Sequence, residues 1–331
     1  MKGITLSLTA LAFAASVAVS GSANGQEPGS RVYSGPWKPG ADGEQIPLWP
    51  AGTPLTQPDA KEPESVWYGH KLVGGRPYQA VIDVTQPTMT IYRPKGHNSG
   101  AALMVFPGGG YEALAIDLEG SEVCDWATRI GMTCVLLKYR VPQNWHPVDR
   151  EGQYSHKMPT PFLPLQDAER AMGVLRQRAS SLGIDPHKIG VVGFSAGGHL
   201  VTAISNTTGR SYPRVDAADD LSVRPDFAMP IYPGHLWSGQ GGTGQDAVKL
   251  FDFDPVRADA PPTFIVQAEN DPVDDVRNSI SYFLALKAAN VPADMHIYAT
   301  GGHAFGLRQS AEPITHWTDL AEKWLHTIGM I

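Results

Sequence analysis

The chain of 331 residues is 42% hydrophobic and 18% charged, which is typical of a globular protein with one large core or at most two domains. Its formal net charge of −7 includes no run of lysine or arginine, so the electrostatic pattern of a nucleic-acid-binding protein is excluded. An acidic surface favours solubility but does not identify a ligand.

The first 25 residues have the pattern of a secretory signal peptide. Lys2 supplies a positive charge, residues 4–19 form an uncharged apolar run, and small residues follow, so we expect cleavage between Ala23 and Gln26. The apolar run is shorter than the roughly 20 residues that a membrane span needs. The sequence therefore predicts an exported protein, periplasmic or secreted, without a stable membrane anchor.

The remaining chain divides into a leader and one domain. Residues 26–63 are rich in proline, glycine and polar side chains, which predicts an extended leader over the surface of a single domain at 64–331. From about residue 77 strands alternate with helices, so we expect an α/β fold with a mainly parallel central sheet of about eight strands and helices on both faces. The predicted strands are 79–84, 88–93, 101–106, 133–139, 189–193, 226–231, 263–268 and 294–299.

Apolar stripes at helical spacing predict the helices between these strands. Ser121 is placed to cap the first helix, and Gly131 is placed to end it. Two long connections, at about 140–163 and 232–261, should lie at the carboxyl ends of the strands, where ligands bind in this architecture. The stripes are Val123, Trp126, Ala127 and Ile130; Leu165, Ala168, Met172 and Leu175; Val276, Ile280, Phe283 and Leu284; and Ile314, Trp317, Ala321, Trp324 and Leu325.

The chain has two cysteines, Cys124 in the first predicted helix and Cys134 in the strand that follows it. An exported protein permits a disulfide between them. The favoured interpretation is nevertheless two small apolar side chains packed separately between helix and sheet. Without a histidine-rich partner motif they do not indicate a zinc site.

Gly193-Phe194-Ser195-Ala196-Gly197 matches the motif G-x-S-x-G, in which a serine stands on a tight turn between a strand and a helix. The neighbours two residues away must lack bulk for the serine Oγ to point out of the sheet. By itself the motif is weak, because a glycine-rich turn can contain an incidental serine. The predicted strand before it and helix after it are the context that favours a nucleophile.

A second glycine motif, Pro107-Gly108-Gly109-Gly110-Tyr111, follows the predicted strand 101–106. We expect the N–H groups of Gly109 and Gly110, with that of Ala196, to form an oxyanion hole, where each donor contributes about 3–4 kcal/mol to the stabilisation of the transition state. The spacing Gly108-x-Gly110-x-x-Ala113 also matches a dinucleotide fingerprint. That alternative requires an acidic residue after the next strand, where this chain has Lys138-Tyr139-Arg140. A phosphate loop is excluded because no Gly-Lys-Ser/Thr follows.

His303 is the candidate general base among eleven histidines, because it follows the last predicted strand and comes after the serine in the chain. The alternatives are a surface-loop role for His303, or His199 as the base. His199 lies four residues after Ser195 on the same predicted helix and so turns back into the protein. Structural packing is the better explanation for His199.

The candidate acid lies in the loop after the predicted strand 263–268. Asp271 comes first in that loop, and its expected role is to hold the histidine tautomer and to stabilise the imidazolium charge. Asp274 and Asp275 are alternatives. Asp275 also suits the start of the next helix, where a negative charge interacts favourably with the helix dipole.

Over residues 45–330 these motifs resemble the carbohydrate-esterase-like branch of the α/β-hydrolases, the BD-FAE type, which includes acetylxylan, feruloyl and acetyl esterases. The resemblance implies an α/β-hydrolase fold, a catalytic triad of Ser195, Asp271 and His303, and an oxyanion loop at Gly108 to Gly110. The glycine-rich segment between 233 and 261 departs from the family pattern. The motifs are Ile46-Pro-Leu-Trp-Pro, Phe106-Pro-Gly-Gly-Gly-Tyr, Leu118-Glu-Gly, Lys138-Tyr-Arg, Gly193-Phe-Ser-Ala-Gly-Gly-His, Glu269-Asn-Asp-Pro-Val and Gly302-His-Ala-Phe-Gly.

The function predicted from the sequence is an exported serine esterase acting on acyl esters, above all acetyl esters of carbohydrate. The alternatives are a peptidase or general carboxylesterase with the same triad and, more remotely, a non-catalytic binding protein on a hydrolase scaffold. This acyl transfer needs no metal or organic cofactor. Aromatic side chains able to stack on sugar rings are the candidate substrate contacts, with loop packing as the alternative for each. They are Tyr111, Trp145, Tyr154 and Trp237.

Overall fold

The structure is a computed structural model that describes residues 27–145, 158–239, 242–252 and 255–331. The predicted signal segment and Tyr154 lie outside these ranges. The strands are β1 (Arg31–Ser34), β2 (Gly43–Pro47), β3 (Ser65–Tyr68), β4 (Gln79–Ile82), β5 (Thr88–Tyr92), β6 (Ala102–Phe106), β7 (Ala113–Leu114), β8 (Thr133–Lys138), β9 (Ile189–Phe194), β10 (Ala228–Ile231), β11 (Thr263–Ala268) and β12 (Ala293–Tyr298). The helices are α1 (Glu122–Arg129), α2 (Leu163–Leu182), α3 (Ala196–Asn206), α4 (Arg277–Ala288) and α5 (Trp317–Thr327).

The main sheet has eight strands in the order β12-β11-β10-β9-β6-β8-β5-β2. The six strands from β12 to β8 pair in parallel, and β5 and β2 continue the sheet antiparallel. Every residue of β6, β8, β9 and β11 is buried, as strands covered on both faces require. The predicted mainly parallel sheet of about eight strands is thereby confirmed.

The membership of that sheet differs from the prediction at one edge. The predicted strand 79–84 is β4, and it lies in a second sheet of order β1-β3-β4-β7. The eighth strand of the main sheet is β2, from the segment interpreted as a leader, and Ile46 of β2 pairs with Met89 of β5. Glycine and proline are tolerated in a strand at a sheet edge. Because these two residue types are also typical of extended leaders, the composition of the segment did not reveal β2.

The helices follow the predicted stripes with two corrections. All five apolar residues predicted for the C-terminal stripe are buried in α5 or just before it. Ser121 precedes α1 but makes no side-chain capping bond. In α4 the buried residues include Tyr282 and Leu286, whereas Leu284 is exposed, so the predicted stripe is rotated. Within the ranges given above, no helix is both long and apolar enough to cross a bilayer.

Cys124 of α1 and Cys134 of β8 form a disulfide with a Cα–Cα distance of 5.2 Å. This corrects the interpretation of two separate thiols. Helix α1 returns directly onto the strand that follows it, so two positions 10 residues apart in the chain meet between helix and sheet. Sequence spacing alone cannot show that approach, because it depends on how the helix packs on the sheet.

Candidate active site

Ser195 lies on the turn that joins β9 to α3, at φ 52° and ψ −119°. A positive φ is strained for a residue with a Cβ, and such strain concentrates at functional sites. The turn is closely packed, because a Cβ on Gly193 would overlap the carbonyl of Gly197, and a Cβ on Gly197 would overlap that of Phe106. The two glycines of the motif are therefore required by sterics, as the sequence predicted.

The structure joins Ser195, His303 and Asp271 in one hydrogen-bonded chain. His303 Nε2 lies 3.1 Å from Ser195 Oγ, and His303 Nδ1 lies 2.7 Å from Asp271 Oδ2. Asp271 follows β11 and His303 follows β12, so both loops are at the carboxyl edge of the sheet beside the serine turn. Gly302 N–H donates to Asn270 Oδ1 at 2.9 Å, which ties the two loops together.

The Asp271 side chain is fully buried and held by several donors. The backbone N–H groups of Val273 and Asp274 donate to its Oδ1 at 2.8 and 3.0 Å. Gln267 Nε2 donates to its Oδ2 at 3.1 Å. These donors and the imidazole together fix the orientation of the Asp271 carboxylate.

The sequence alternatives for the acid are separated by this geometry. Asp275 turns outward to Arg277, to which its carboxylate is paired, and it accepts the Arg277 backbone N–H at the start of α4. Asp274 turns inward, and its Oδ2 accepts a hydrogen bond from Ser195 Oγ at 3.1 Å. The same oxygen is 3.8 Å from His303 Nε2. The serine therefore has two acceptors for its single proton.

The charges around the imidazole alter the pKa of each partner. Burial raises the pKa of the Asp274 carboxyl to about 6, although the neighbouring His303 opposes this rise. For His303, burial disfavours the imidazolium, but the hydrogen bond to Asp271 and the charges of Asp274, Asp271 and Glu119 outweigh it and raise the pKa. The raised pKa brings the titration of Asp274 closer to neutral pH than that of an ordinary aspartate. The raised pKa of His303 means that its imidazolium persists to a higher pH than that of an ordinary histidine.

The predicted oxyanion loop lies beside the serine, because a Cβ on Gly108 would overlap the Phe194 carbonyl oxygen and approach Ser195 Cβ. Gly108 N–H is bonded to Glu119 Oε2 at 2.7 Å, so it is not available to a substrate. Gly109 N–H and Gly110 N–H have no acceptor among the described residues, nor does Ala196 N–H at the start of α3. These are the three donors expected from the sequence.

Glu119 is a site residue to which the sequence analysis assigned no role. It is fully buried, and besides Gly108 N–H it accepts a hydrogen bond from Tyr232 OH at 2.8 Å. Tyr232 OH in turn accepts the N–H of Gly306 at 3.3 Å, three residues after His303. Glu119 thus connects the oxyanion loop to the histidine loop. The available signal was the Leu118-Glu119-Gly120 motif, but its function depends on contacts between distant segments.

The predicted substrate contacts lie in different places. Tyr111 and Trp145 are buried and pack together, and Tyr111 OH is 2.7 Å from Nδ1 of His199, itself fully buried. Trp237 is partly buried, with the Arg277 guanidinium 3.7 Å from its ring centre. The structure therefore places Tyr111 and Trp145 in one aromatic cluster with His199, and Trp237 beneath an arginine. Among the described residues, no cluster of three or more His, Cys, Asp or Glu side chains is arranged to hold a metal ion.

A serine on a strand–turn–helix, with an acid loop and a histidine loop after later strands of a mainly parallel sheet, is the arrangement of the α/β-hydrolase fold. Two family models match the chain: the prolyl oligopeptidase family over residues 165–328, and BD-FAE over residues 89–218. The solved structure of an acetyl ester-xyloside bifunctional hydrolase from Caldicellulosiruptor lactoaceticus matches with a TM-score of 0.62 and 30% identity, covering 87% of this chain and 97% of that one. The chain belongs to the α/β-hydrolase family, in its carbohydrate-esterase-like branch.

Curated relatives include acetylxylan esterase of Xylanibacter ruminicola, 31% identical over 63% of this chain and 42% of that protein. Ethyl acetate hydrolase of Pseudomonas putida is 26% identical over 65% of this chain and 70% of that protein. The chain thus matches less than half the length of the acetylxylan esterase. An esterase structure from Thermogutta terrifontis, 22% identical with a TM-score of 0.57 and covering 74% of this chain and 91% of that one, shares the fold.

Proposed function

We propose that this protein is an exported serine esterase that removes acetyl or similarly small acyl groups from carbohydrate. The observation that carries the proposal is the hydrogen-bonded chain from Ser195 Oγ through His303 to Asp271. Ser195 lies on a turn that would not fit if either flanking glycine had a side chain. In this arrangement a neutral imidazole can take the serine proton while a buried carboxylate stabilises the resulting charge.

The reaction proceeds in two steps. Ser195 Oγ attacks the ester carbonyl carbon as its proton passes to His303 Nε2, and the N–H groups of Gly109, Gly110 and Ala196 stabilise the oxyanion. The imidazolium then protonates the leaving alcohol, and an acyl-enzyme remains on Ser195. Water repeats the sequence in the second step, with His303 as the base, and releases the acid.

The preference for acetyl esters of carbohydrate is supported by the relatives. The names of two of them, an acetylxylan esterase and an acetyl ester-xyloside hydrolase, combine an acetyl ester with a pentose substrate. A further relative is an ethyl acetate hydrolase, which shares the acetyl group but not the sugar. Small acyl groups are therefore the element common to the three.

Export is supported by the charged, apolar and small-residue pattern of residues 1–25. It is consistent with a polymeric substrate, because polysaccharides do not cross the inner membrane. The test fuses residues 1–25 to a reporter enzyme that is active only outside the cytoplasm. Activity of this fusion, and loss of activity when residues 4–19 are deleted, is expected; equal activity without the apolar run would contradict export.

A peptidase is a second candidate, because residues 165–328 match the prolyl oligopeptidase family model. Amide hydrolysis can use the same nucleophile and base, but a poorer leaving group must be protonated. Comparison of acetylated xylan, feruloyl esters, aryl acetates and peptide anilides separates the candidates. We expect acetate release from the first and third substrates, and a faster turnover of anilides would favour the peptidase.

The role of Ser195 is tested with Ser195→Ala. We expect a loss of at least about 10⁴-fold in kcat on an aryl acetate, because no other group can form the acyl-enzyme. Circular dichroism should match the parent, since the side chain is small. Unchanged hydrolysis by the folded variant would refute the assignment of the nucleophile.

A further inference from the structure

Asp274 is a second carboxylate at the nucleophile, and the acyl-transfer scheme above gives it no role. Its Oδ2 is 3.1 Å from Ser195 Oγ and 3.8 Å from His303 Nε2, so these three atoms form a triangle. The carboxylate packs against Gly234, where a Cβ would overlap Oδ1. Any residue with a side chain at position 234 would displace the carboxylate from this place.

The orientation of Asp274 does not depend on its contact with the serine alone. Its backbone N–H donates to Asp271 Oδ1 at 3.0 Å, and its carbonyl accepts from Gln267 Nε2 at 3.0 Å. Both bonds are made by the main chain. The loop is therefore held in place whatever the side chain at 274, which makes substitutions there informative.

In the free enzyme Asp274 competes with His303 for the proton of Ser195, because the hydroxyl can donate to only one of them. That competition cannot assist the first step. After acylation the situation differs, because Oγ carries the acyl group and has no proton to donate. Oδ2 is then an acceptor beside both the imidazole nitrogen and the acyl carbon.

The geometry points to Asp274 as the residue that holds the hydrolytic water in the second step, an inference that rests on the proposed esterase function. Water has two protons, and the site has two acceptors 3.8 Å apart, His303 Nε2 and Asp274 Oδ2. An oxygen about 2.8 Å from each atom spans that gap with ordinary hydrogen bonds. Both bonds direct the oxygen lone pair of the water away from the acceptors and toward the acyl carbon.

The step balances without any further reactant. The water oxygen forms a bond to the acyl carbon, one water proton passes to His303 Nε2, and the carbonyl electron pair moves to the oxyanion. Asp274 Oδ2 accepts a hydrogen bond from the second proton throughout. Collapse of the intermediate breaks the bond from carbon to Oγ, Oγ takes the proton from Nε2, and the carboxylic acid leaves.

The surroundings of Asp274 are compatible with this role at neutral pH. The titratable groups that act on it are His303, Asp271 and His199, and its own charge acts on Glu119. Burial raises its pKa to about 6, so the group is an ionised acceptor above that pH. A charged acceptor holds a water more firmly than a neutral one does.

The inference also predicts selectivity between water and alcohols. An alcohol has one O–H, which the imidazole must take, and its carbon would then face the Asp274 carboxylate. Asp274 therefore favours hydrolysis of the acyl-enzyme over transfer of the acyl group to an alcohol.

The test compares the parent with Asp274→Ala, Asp274→Asn and the matched control Asp275→Asn, which removes a carboxylate from the same loop without touching Ser195. The substrate is p-nitrophenyl acetate, and stopped-flow separates the burst of nitrophenol from the steady rate. For Asp274→Ala we expect deacylation at least about 10-fold slower and acylation within about 3-fold of the parent. Asp274→Asn, which keeps an oxygen acceptor, should fall between them.

A second readout is the ratio of methyl acetate to acetate formed in the presence of methanol. We expect this ratio to rise at least about 5-fold in Asp274→Ala and to stay at the parent value in Asp275→Asn. Because the ratio reports only the fate of the acyl-enzyme, it remains informative even where acylation limits turnover. An unchanged ratio, or a loss confined to acylation, would overturn the inference. Failure of the parent to release nitrophenol from p-nitrophenyl acetate would instead refute the proposed esterase function.

Discussion

Buried charges are arranged differently in two regions of this molecule. Beneath the N-terminal segment, residues 27–64, two buried carboxylates are paired with cations: Lys138 Nζ lies 2.6 Å from Glu64, and the fully buried Arg140 and Asp167 lie 2.9 Å apart. Around Ser195, three carboxylates act on one imidazole: Asp271 is bonded to His303, Asp274 lies 3.8 Å from it, and the charge of the buried Glu119 also acts on it.

The difference separates charges that hold the structure from charges that serve the chemistry. Two arginines of the first region also donate to main-chain carbonyls of the N-terminal segment, Arg140 to Thr56 at 2.6 Å and Arg170 to Leu48 at 3.3 Å. Their charges are neutralised and fixed. At the active site the excess of negative charge raises the pKa of His303, and with burial it raises that of Asp274. An unbalanced cluster of this kind can exchange protons near neutral pH.

The largest effect is expected from Asp271→Asn, which removes the carboxylate that orients the imidazole. We expect kcat on an aryl acetate to fall by about 10³–10⁴-fold, because the amide can stabilise the wrong histidine tautomer and cannot stabilise the imidazolium. Parent-like circular dichroism is the control for folding. A loss below about 10-fold would show that Asp274 can replace Asp271, and would remove the distinction between the two carboxylates of this loop.

The next effect concerns the paired region. Asp167→Ala leaves the Arg140 guanidinium buried without its carboxylate and also removes the acceptor of the Trp49 indole N–H. Breaking a buried pair in this way costs about 3–5 kcal/mol of unfolding free energy, measured by denaturant titration. The folded fraction should keep parent kcat within about twofold. The control is Asp220→Ala at the exposed pair with Arg214, where little change is expected; equal losses in the two variants would contradict the structural role.

The smallest effect is a gain of stability in Asp274→Asn. The folded-state pKa of Asp274, about 6, lies above the ordinary aspartate pKa of 3.8, so this carboxyl binds a proton more readily in the folded protein than in the unfolded chain. The ionised Asp274 therefore destabilises the folded state. This cost is fully present above about pH 6, and it disappears as the pH falls from 6 to 3.8. Removing the charge should stabilise the fold by about 2–3 kcal/mol at pH 8. Unfolding titrations at pH 8 and pH 4 measure this, and the same gain at both pH values would contradict the electrostatic cause.

Much of the fold and part of the site were accessible from the sequence, because they depend on short-range patterns. The apolar runs of β6 and β9 and the glycines around Ser195 encode a buried strand and a tight turn within a few residues. The edge strand β2 was missed because its five residues have weak strand propensity and are held by pairing with β5. The disulfide was not favoured because it requires α1 to pack back onto β8.

What the sequence determined by itself is the chain order of serine, acid and histidine, each directly after a predicted strand, because strand ends and turns are local properties. The tertiary structure alone separated Asp271, Asp274 and Asp275, three acids within five positions of one loop. One faces the imidazole, one the serine and one the solvent-side Arg277. Their directions follow from local main-chain hydrogen bonds to Gln267 and Asp271 and from the space left by Gly234. That space and the partners Ser195 and His303 belong to distant segments, which meet this loop only after the strands of the main sheet have paired.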